Sequence, residues 1–456
     1  LEAAIAAVRR HAPDFMPDPS FASIQQALST GTAASRAAAG VYLLTNPAGG
    51  LALLVHAEDA TGAGVTPVDL PGLTDDALND LLRDWFAAYG AYLSARTKDA
   101  RDVARNAWHA QLDATTARLW DLAMGPIAAA LQTRFGPTDT LPPGQVPVVT
   151  LIPTGLLALL PLHAAWMTAG PATGTDSRPV AGRAGEGGER SRHYFLDAFA
   201  VRYAPSATSL GHSLGRTGDP APVARLLAVD EPWPVRAGPL PNSSREVAAI
   251  ADLFAEPTVR AKAAATRDAV LAALPGQQVA HFSCHGANDW DDPLATGLLM
   301  AHNDLLTVRD LLAANLPGAR LATLSACETG LVGGRLPDEV VMLPSALAQA
   351  GYAGVAASLW SVADISTAML MVRFYQFWRT DGLAPVDALR AAQRWLRDTT
   401  NQEKSDYFEQ FVPITGERMS DSVAVEFFTA ALVQGGANAR TFEHPYWWSA
   451  FYLTGA

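Results

Sequence analysis

From about residue 224 onward the apolar positions fall into short runs that end in small or polar residues. Between them lie stretches with apolar residues three and four apart. The runs "ARLLAVD" (224–230), "QQVAHFSCHG", "ARLATLSACETG" and "GVAASLW" read as strands. "SSREVAAIADLF" reads as a helix capped by Ser243 or Ser244 with Glu246 close behind. "DEVVMLPSALAQAG" reads as a helix closed by Gly351, and two long helical patterns cover 366–379 and 385–397. Alternation of this kind predicts an α/β fold with a mostly parallel sheet flanked by helices, which binds its ligands beyond the carboxyl ends of its strands.

The first half is patterned differently. Residues 1–31 read as the end of something helical, and a chain that begins at Leu1 reads as a piece of a longer protein. "GVYLLTNPAGGLALLVHAE" (40–58) predicts a hairpin about Asn46-Pro47-Ala48-Gly49-Gly50, and residues 73–135 are mostly helical. "VPVVTLIPTGLLALLPLHAAW" (146–166) carries no formal charge and has the length of a membrane span. Pro147, Pro153 and Pro161 cut it, which favours a strand at 146–152, a turn and a short buried helix. Residues 168–192 are rich in Gly, Pro, Ser and charge, and predict an exposed loop, either a tolerated insertion or a cleavage site.

Composition narrows the class. A chain of 456 residues, 49% hydrophobic, has room for about two to three domains. Its net charge of −12 argues against nucleic acid or an anionic membrane as a direct partner. Two cysteines make no disulfide framework and show no zinc-site spacing, so a reducing, cytoplasmic setting is expected.

The candidate chemistry sits where two strands end. A cysteine becomes a nucleophile when a neighbour, commonly a histidine, favours its thiolate. His285 closes one strand run and Cys327 another, 42 residues later, near the spacing of caspase-type enzymes. Gly286 lets the backbone approach a substrate, so its N–H and that of Cys327 are candidates for an oxyanion hole. Two other readings stand beside this one. A cysteine in an apolar run is commonly a small buried hydrophobe, which is the reading of Cys284. His281, Cys284, His285 and Cys327 also suggest a metal cluster, but strand alternation puts Cys284 on the face opposite the histidines.

Taken together, "HFSCHG", "LSACETG", "DEVVMLPSALAQAGYAGVAASLWSVAD" and "HPYWWSAFYLTG" resemble the CHAT family of caspase-like cysteine proteases, in the structural group of caspases, separases, metacaspases and gingipains. The resemblance runs from about Gly40 to the end and implies a sheet of about six strands, a Cys–His dyad and no cofactor. It implies His285 as base or ion-pair partner, Cys327 as nucleophile, and an oxyanion hole from Gly286 and Cys327. The implied division is 1–36, a helical stub of an upstream region; 37–215, a degenerate caspase-like half; and 216–456, the active domain. Ser325, Ser358, Trp360 and Asp364 are the implied pocket walls. Ser325 stands where caspases carry Gln and metacaspases Asp, and no arginine lies near "AASLWSVAD", so cleavage after Asp is not expected. Asp364 pointing inward would select Arg or Lys; the preference expected is neutral or apolar. Asp338 and Glu339 read as charges at a helix start, and Asp289 as a loop carboxylate near His285. Tyr446, Trp447, Trp448, Phe451 and Tyr452 read as core sealing the sheet. The expected partners are a protein substrate and an activating protein or upstream sensor in bacterial signalling, defence or cell death. A silent scaffold of the same fold and a small-molecule thiol amidase are the rivals.

Overall fold

The computed structural model describes residues 8, 10–11, 20–29, 36–57, 64–138, 141–168, 192–218, 222–287, 289, 292–325, 343–361, 363–409 and 435–456. The expectations for 1–7, for the loop at 169–191, for Cys327 and for Asp338 and Glu339 therefore lie outside the described residues.

The expected hairpin is present: β1 (Ala38–Asn46) and β2 (Gly49–His56) pair antiparallel, and β3 (Val65–Leu70) adds to β2. Thr74 then caps α1 (Asp75–Ser94) and Thr97 caps α2 (Lys98–Leu119), each accepting a bond from a backbone N–H in the first turn. The uncharged stretch resolves into β4 (Val148–Pro153) and two 3-10 turns, Gly155–Leu159 and Leu162–Ala164. Among the described residues, no helix is long and apolar enough to cross a membrane. A ribbon of β5 (Trp166–Thr168) and β6 (Arg192–Tyr194) follows, then β7 (Ala200–Tyr203).

The second half supplies β8 (Arg225–Asp230), α3 (Ser243–Ala251), β9 (Glu256–Ala261) and β10 (Val279–Ser283). A small antiparallel sheet of β11 (His285–Ala287), β12 (Gly297–Leu299) and β13 (Leu305–Thr307) comes next. It is followed by β14 (Leu321–Leu324), α4 (Leu343–Ala350), β15 (Gly354–Ser358), α5 (Asp364–Arg379), α6 (Pro385–Asp398) and finally β16 (Phe451–Gly455). Gly351 closes α4 as expected, with φ 139°.

One sheet joins both halves, in the order β3-β2-β1-β4-β7-β16-β15-β14-β10-β8-β9. It contains more than the expected six strands because the strands of the first half add to it edge on. The direction reverses inside it: β16 runs parallel to β7 but antiparallel to β15, while β15, β14, β10, β8 and β9 run together. The expected boundary near 215 falls between β7 and β8, and β16 bridges it. One large buried core spans the two halves, with a smaller cluster about Leu28, Val55 and Leu210 beside it; Trp448, Tyr446, Phe451 and Tyr452 are buried in the large core as expected, while Trp447 is half-buried against it.

Polar ties reinforce this union. His163, 3% exposed, lies between Tyr203 of β7 and the chain leading into β16. Its Nδ1 is 2.9 Å from the Tyr203 hydroxyl and its Nε2 is 3.1 Å from the Ser449 carbonyl. Asp197 accepts from Arg397 of α6 at 2.6 Å and from the Tyr194 N–H at 3.0 Å. Burial pushes the Asp197 carboxyl up, but Arg397, the Tyr194 N–H and Arg394 outweigh it and bring it down to about 2.

Candidate active site

The carboxyl ends of β8, β10, β14 and β15 arrive at one edge of the sheet because these strands are parallel and in register. His281 pairs with Thr323 and Phe282 with Leu324, and Ser283 stands opposite Asp230. The Ser325 N–H continues the ladder to the Phe282 carbonyl at 3.0 Å. Ser325 is half-buried, two residues before Cys327 in sequence.

"HFSCHG" is not one strand. β10 ends at Ser283, the chain turns at Cys284, and His285 opens β11 in the second sheet, opposite Leu299, with Gly286 opposite Leu298. The alternation argument therefore stops at Ser283. Cys284, at the corner, is 1% exposed and belongs to the core, as its neighbours led us to expect. His285 is half-buried, with its Nε2 2.8 Å from the Gly238 carbonyl. A carbonyl only accepts, so Nε2 carries a proton; in a neutral ring the lone pair is then on Nδ1.

Gly238 belongs to the loop 231–242 between β8 and α3, which is tied down along its length. The Glu231 N–H donates to the Ser283 carbonyl at 2.9 Å, and its side chain accepts from the Leu240 N–H at 2.8 Å and pairs with Lys262. The Arg236 N–H donates to Asn303 Oδ1 at 2.6 Å, and the His302 N–H to the Pro234 carbonyl at 2.8 Å. Asp289, the loop carboxylate near His285 in sequence, accepts on Oδ1 from the Asp292 N–H at 2.9 Å within its own turn.

Beneath the edge, the start of α3 departs from expectation. Asn242, not a serine, is its N-cap, and the Ser243 and Ser244 hydroxyls instead donate to the buried Asp230 at 2.8 and 2.9 Å. A buried carboxylate at a strand end draws these hydroxyls because an unpaired charge there is costly. His281 Nε2 lies 2.8 Å from Glu246 Oε1, both fully buried, so α3 is also anchored to β10.

The expected pocket walls separate into two kinds. Ser358 and Trp360 are fully buried, and the Trp360 indole N–H donates to the Tyr446 carbonyl at 3.2 Å. Asp364, half-buried at the first turn of α5, accepts on Oδ2 from the Asn242 N–H at 2.8 Å and from its side-chain amide at 2.6 Å. Burial raises its carboxyl above the usual range, the Asn242 bonds offset part of that, and Glu246 and Glu231 push it further up. Sequence reasoning missed Gly238 and Asn242. The "GPLPN" before α3 is rich in turn-forming residues and carries no side-chain signal for the bond that the Gly238 carbonyl makes.

A family model described as the CHAT domain matches residues 113–456. A chain of the Saccharomyces cerevisiae separase–securin complex at 3.0 angstrom resolution is similar with TM-score 0.52 and 10% identity, over 81% of this chain and 29% of that one. A second structure of that complex, at 2.6 angstrom, gives 0.50 and 11% over 95% and 31%. The Arg-specific cysteine proteinase gingipain R gives 0.39 and 11% over 75% and 72%. This chain thus spans about a third of the separase-complex chains it matches. No curated protein matches. With most of its length matched by the family model and a fold similar to that of the yeast chain, the chain belongs to the CHAT family and has a caspase-like α/β fold.

Proposed function

We propose that the chain is a cysteine endopeptidase in which Cys327 is the nucleophile and His285 its base. The observation that carries this is the bond from His285 Nε2 to the Gly238 carbonyl, which leaves Nδ1 of the neutral ring as acceptor just beyond the end of β10, whose neighbour β14 ends three residues before Cys327 in sequence. Nδ1 takes the thiol proton and the thiolate attacks the peptide carbonyl carbon, with the Gly286 and Cys327 N–H groups receiving the oxyanion. The intermediate collapses to a thioester as the imidazolium gives its proton to the departing amine. Water, deprotonated by the same nitrogen, then attacks the thioester; the C–S bond breaks, the acid leaves, and the imidazolium proton returns to the departing thiolate. The Gly238 carbonyl steadies the imidazolium in each step.

Ser325 and Asp364 line the pocket for the residue before the cut, with Ser358 and Trp360 behind them. The bonds that Asn242 gives Asp364, and the raised carboxyl, favour a neutral or apolar side chain there. The division at 36/37 and 215/216 stands as part of this reading, with 37–215 a degenerate half. A protein partner regulates the enzyme, a reading supported by the yeast complex, in which separase is bound to securin. The setting is the cytoplasm, in bacterial signalling or defence.

The test is a peptide library with cut sites read by mass spectrometry, for the wild type and for Cys327→Ala, His285→Ala and Cys284→Ala. Cleavage is expected in the wild type and Cys284→Ala and lost in the other two. A thiol-reactive probe is expected to label Cys327 in the wild type. Neither cleavage nor labelling there would point to a silent scaffold.

A further inference from the structure

The first three residues after β15, Leu359 to Ser361, are held by two distant parts of the chain. The Leu359 N–H donates to the Ala450 carbonyl at 2.9 Å, and the Trp360 indole to the Tyr446 carbonyl at 3.2 Å. The Ser361 N–H donates to the hydroxyl of Tyr89, 272 residues earlier, at 2.9 Å. Tyr89 belongs to α1, on the buried stripe Leu78, Leu82, Trp85, Tyr89. It is 3% exposed.

Its neighbours make a rigid cage. Trp85 meets Trp108 of α2 edge to face at 4.6 Å between ring centroids, and both rings meet Trp360, at 5.6 and 6.2 Å. Tyr89 lies 5.0 Å from Trp108. Aromatic pairs at such distances resist repacking, since each ring fills space that no other residue reaches. A helix hairpin of the first half therefore sets both the side chain of Trp360 and the backbone of Ser361.

We propose that Tyr89 is a positioning residue for the substrate wall, fixing the backbone of Ser361 so that the chain entering α5 presents its pocket-facing side in one conformation. This rests on the protease reading above. It goes further by assigning a specificity role to the half of the chain that carries no dyad residue. The stripe by itself needs only an apolar ring at position 89. Phe would serve the core equally well, so the hydroxyl is the informative group.

Tyr89→Phe removes that group and keeps the ring. In the full chain, amide exchange at Ser361 is expected to quicken ~5-fold, the size of one lost hydrogen bond, while exchange in β10 and β14 stays at the wild-type rate. With a peptide cut by the wild type, KM is expected to rise ~5-fold with kcat nearly unchanged, and preference for the residue before the cut to broaden. Probe labelling of Cys327 should match the wild type, since the dyad is untouched. Unchanged exchange at Ser361 overturns the inference whatever the enzyme does. Faster exchange with an unaltered KM and cut-site profile overturns it as well. A wild type that is neither labelled at Cys327 nor able to cleave instead refutes the protease reading, and the wall loses its substrate with it.

Discussion

Acid should weaken the joint between the two halves at His163, and the size of the effect follows from its surroundings. The Ser449 carbonyl accepts from Nε2, so Nε2 holds the ring proton. The Tyr203 hydroxyl accepts from the His163 backbone N–H at 3.2 Å and so donates its own proton to Nδ1. A second ring proton would meet that hydroxyl proton head on. Burial is the largest influence and the Ser449 bond offsets only part of it, so the pKa falls from 6.5 to about 4. The unfolded chain then binds the proton more readily than the folded one, and stability is lost as pH drops through about 6.5 and levels off below about 4. Between about pH 7.5 and about pH 5 the loss from this residue comes to ~2 kcal/mol. Urea denaturation at both pH values, for the wild type and His163→Gln, measures it. Gln cannot titrate yet can still donate to Ser449. His109, also brought to about 4, chiefly by burial, titrates in both proteins, so the difference between them isolates His163. The stability gap between wild type and variant should shrink by ~2 kcal/mol on acidification. A gap independent of pH would refute the assigned proton positions and the burial argument together.

Two further outcomes follow from the packing. Asp197→Asn leaves Arg397 short of a buried partner, though Asp398 still pairs with it, and should cost about 3 kcal/mol in the same denaturation assay. Gly351→Ala places a Cβ against the Leu316 carbonyl at a φ of 139°, so a loss of about 1–3 kcal/mol is expected from calorimetry; an unchanged midpoint would show that α4 can end differently.

Legibility of the fold tracked how local each cause is. β8, β15, α5 and α6 were readable because their apolar spacing is set within a few residues. The hairpin of β1 and β2 was readable from Asn46 to Gly50 for the same reason. The shared sheet was not, since Thr454 pairs with Tyr203 across most of the chain and neither segment carries a mark of the other. At the site, His285 stood out by its place at the end of an apolar run. Its partner Gly238 acts through a carbonyl that every residue possesses, and Tyr89 is hidden in an ordinary helical stripe. Ser243 and Ser244 misled because a capping pattern and a pair of donors for Asp230 look alike until the strand end is in place.

Strand β16 lies between β7 and β15 and comes after both in the chain. A ribosome reaches Phe451 roughly 250 residues after finishing β7, which at about 5–20 residues per second leaves the inner edge of β7 open for roughly 12–50 s. β15 joins it as a second unpaired edge once Ser358 is made, for roughly the last third of that interval, and such edges invite wrong partners. Neither half can close its sheet until the same five residues arrive. Closure of the first half and of the half carrying His285 is therefore a single late event, and a nascent chain stopped short of Phe451 should offer chaperones two open edges.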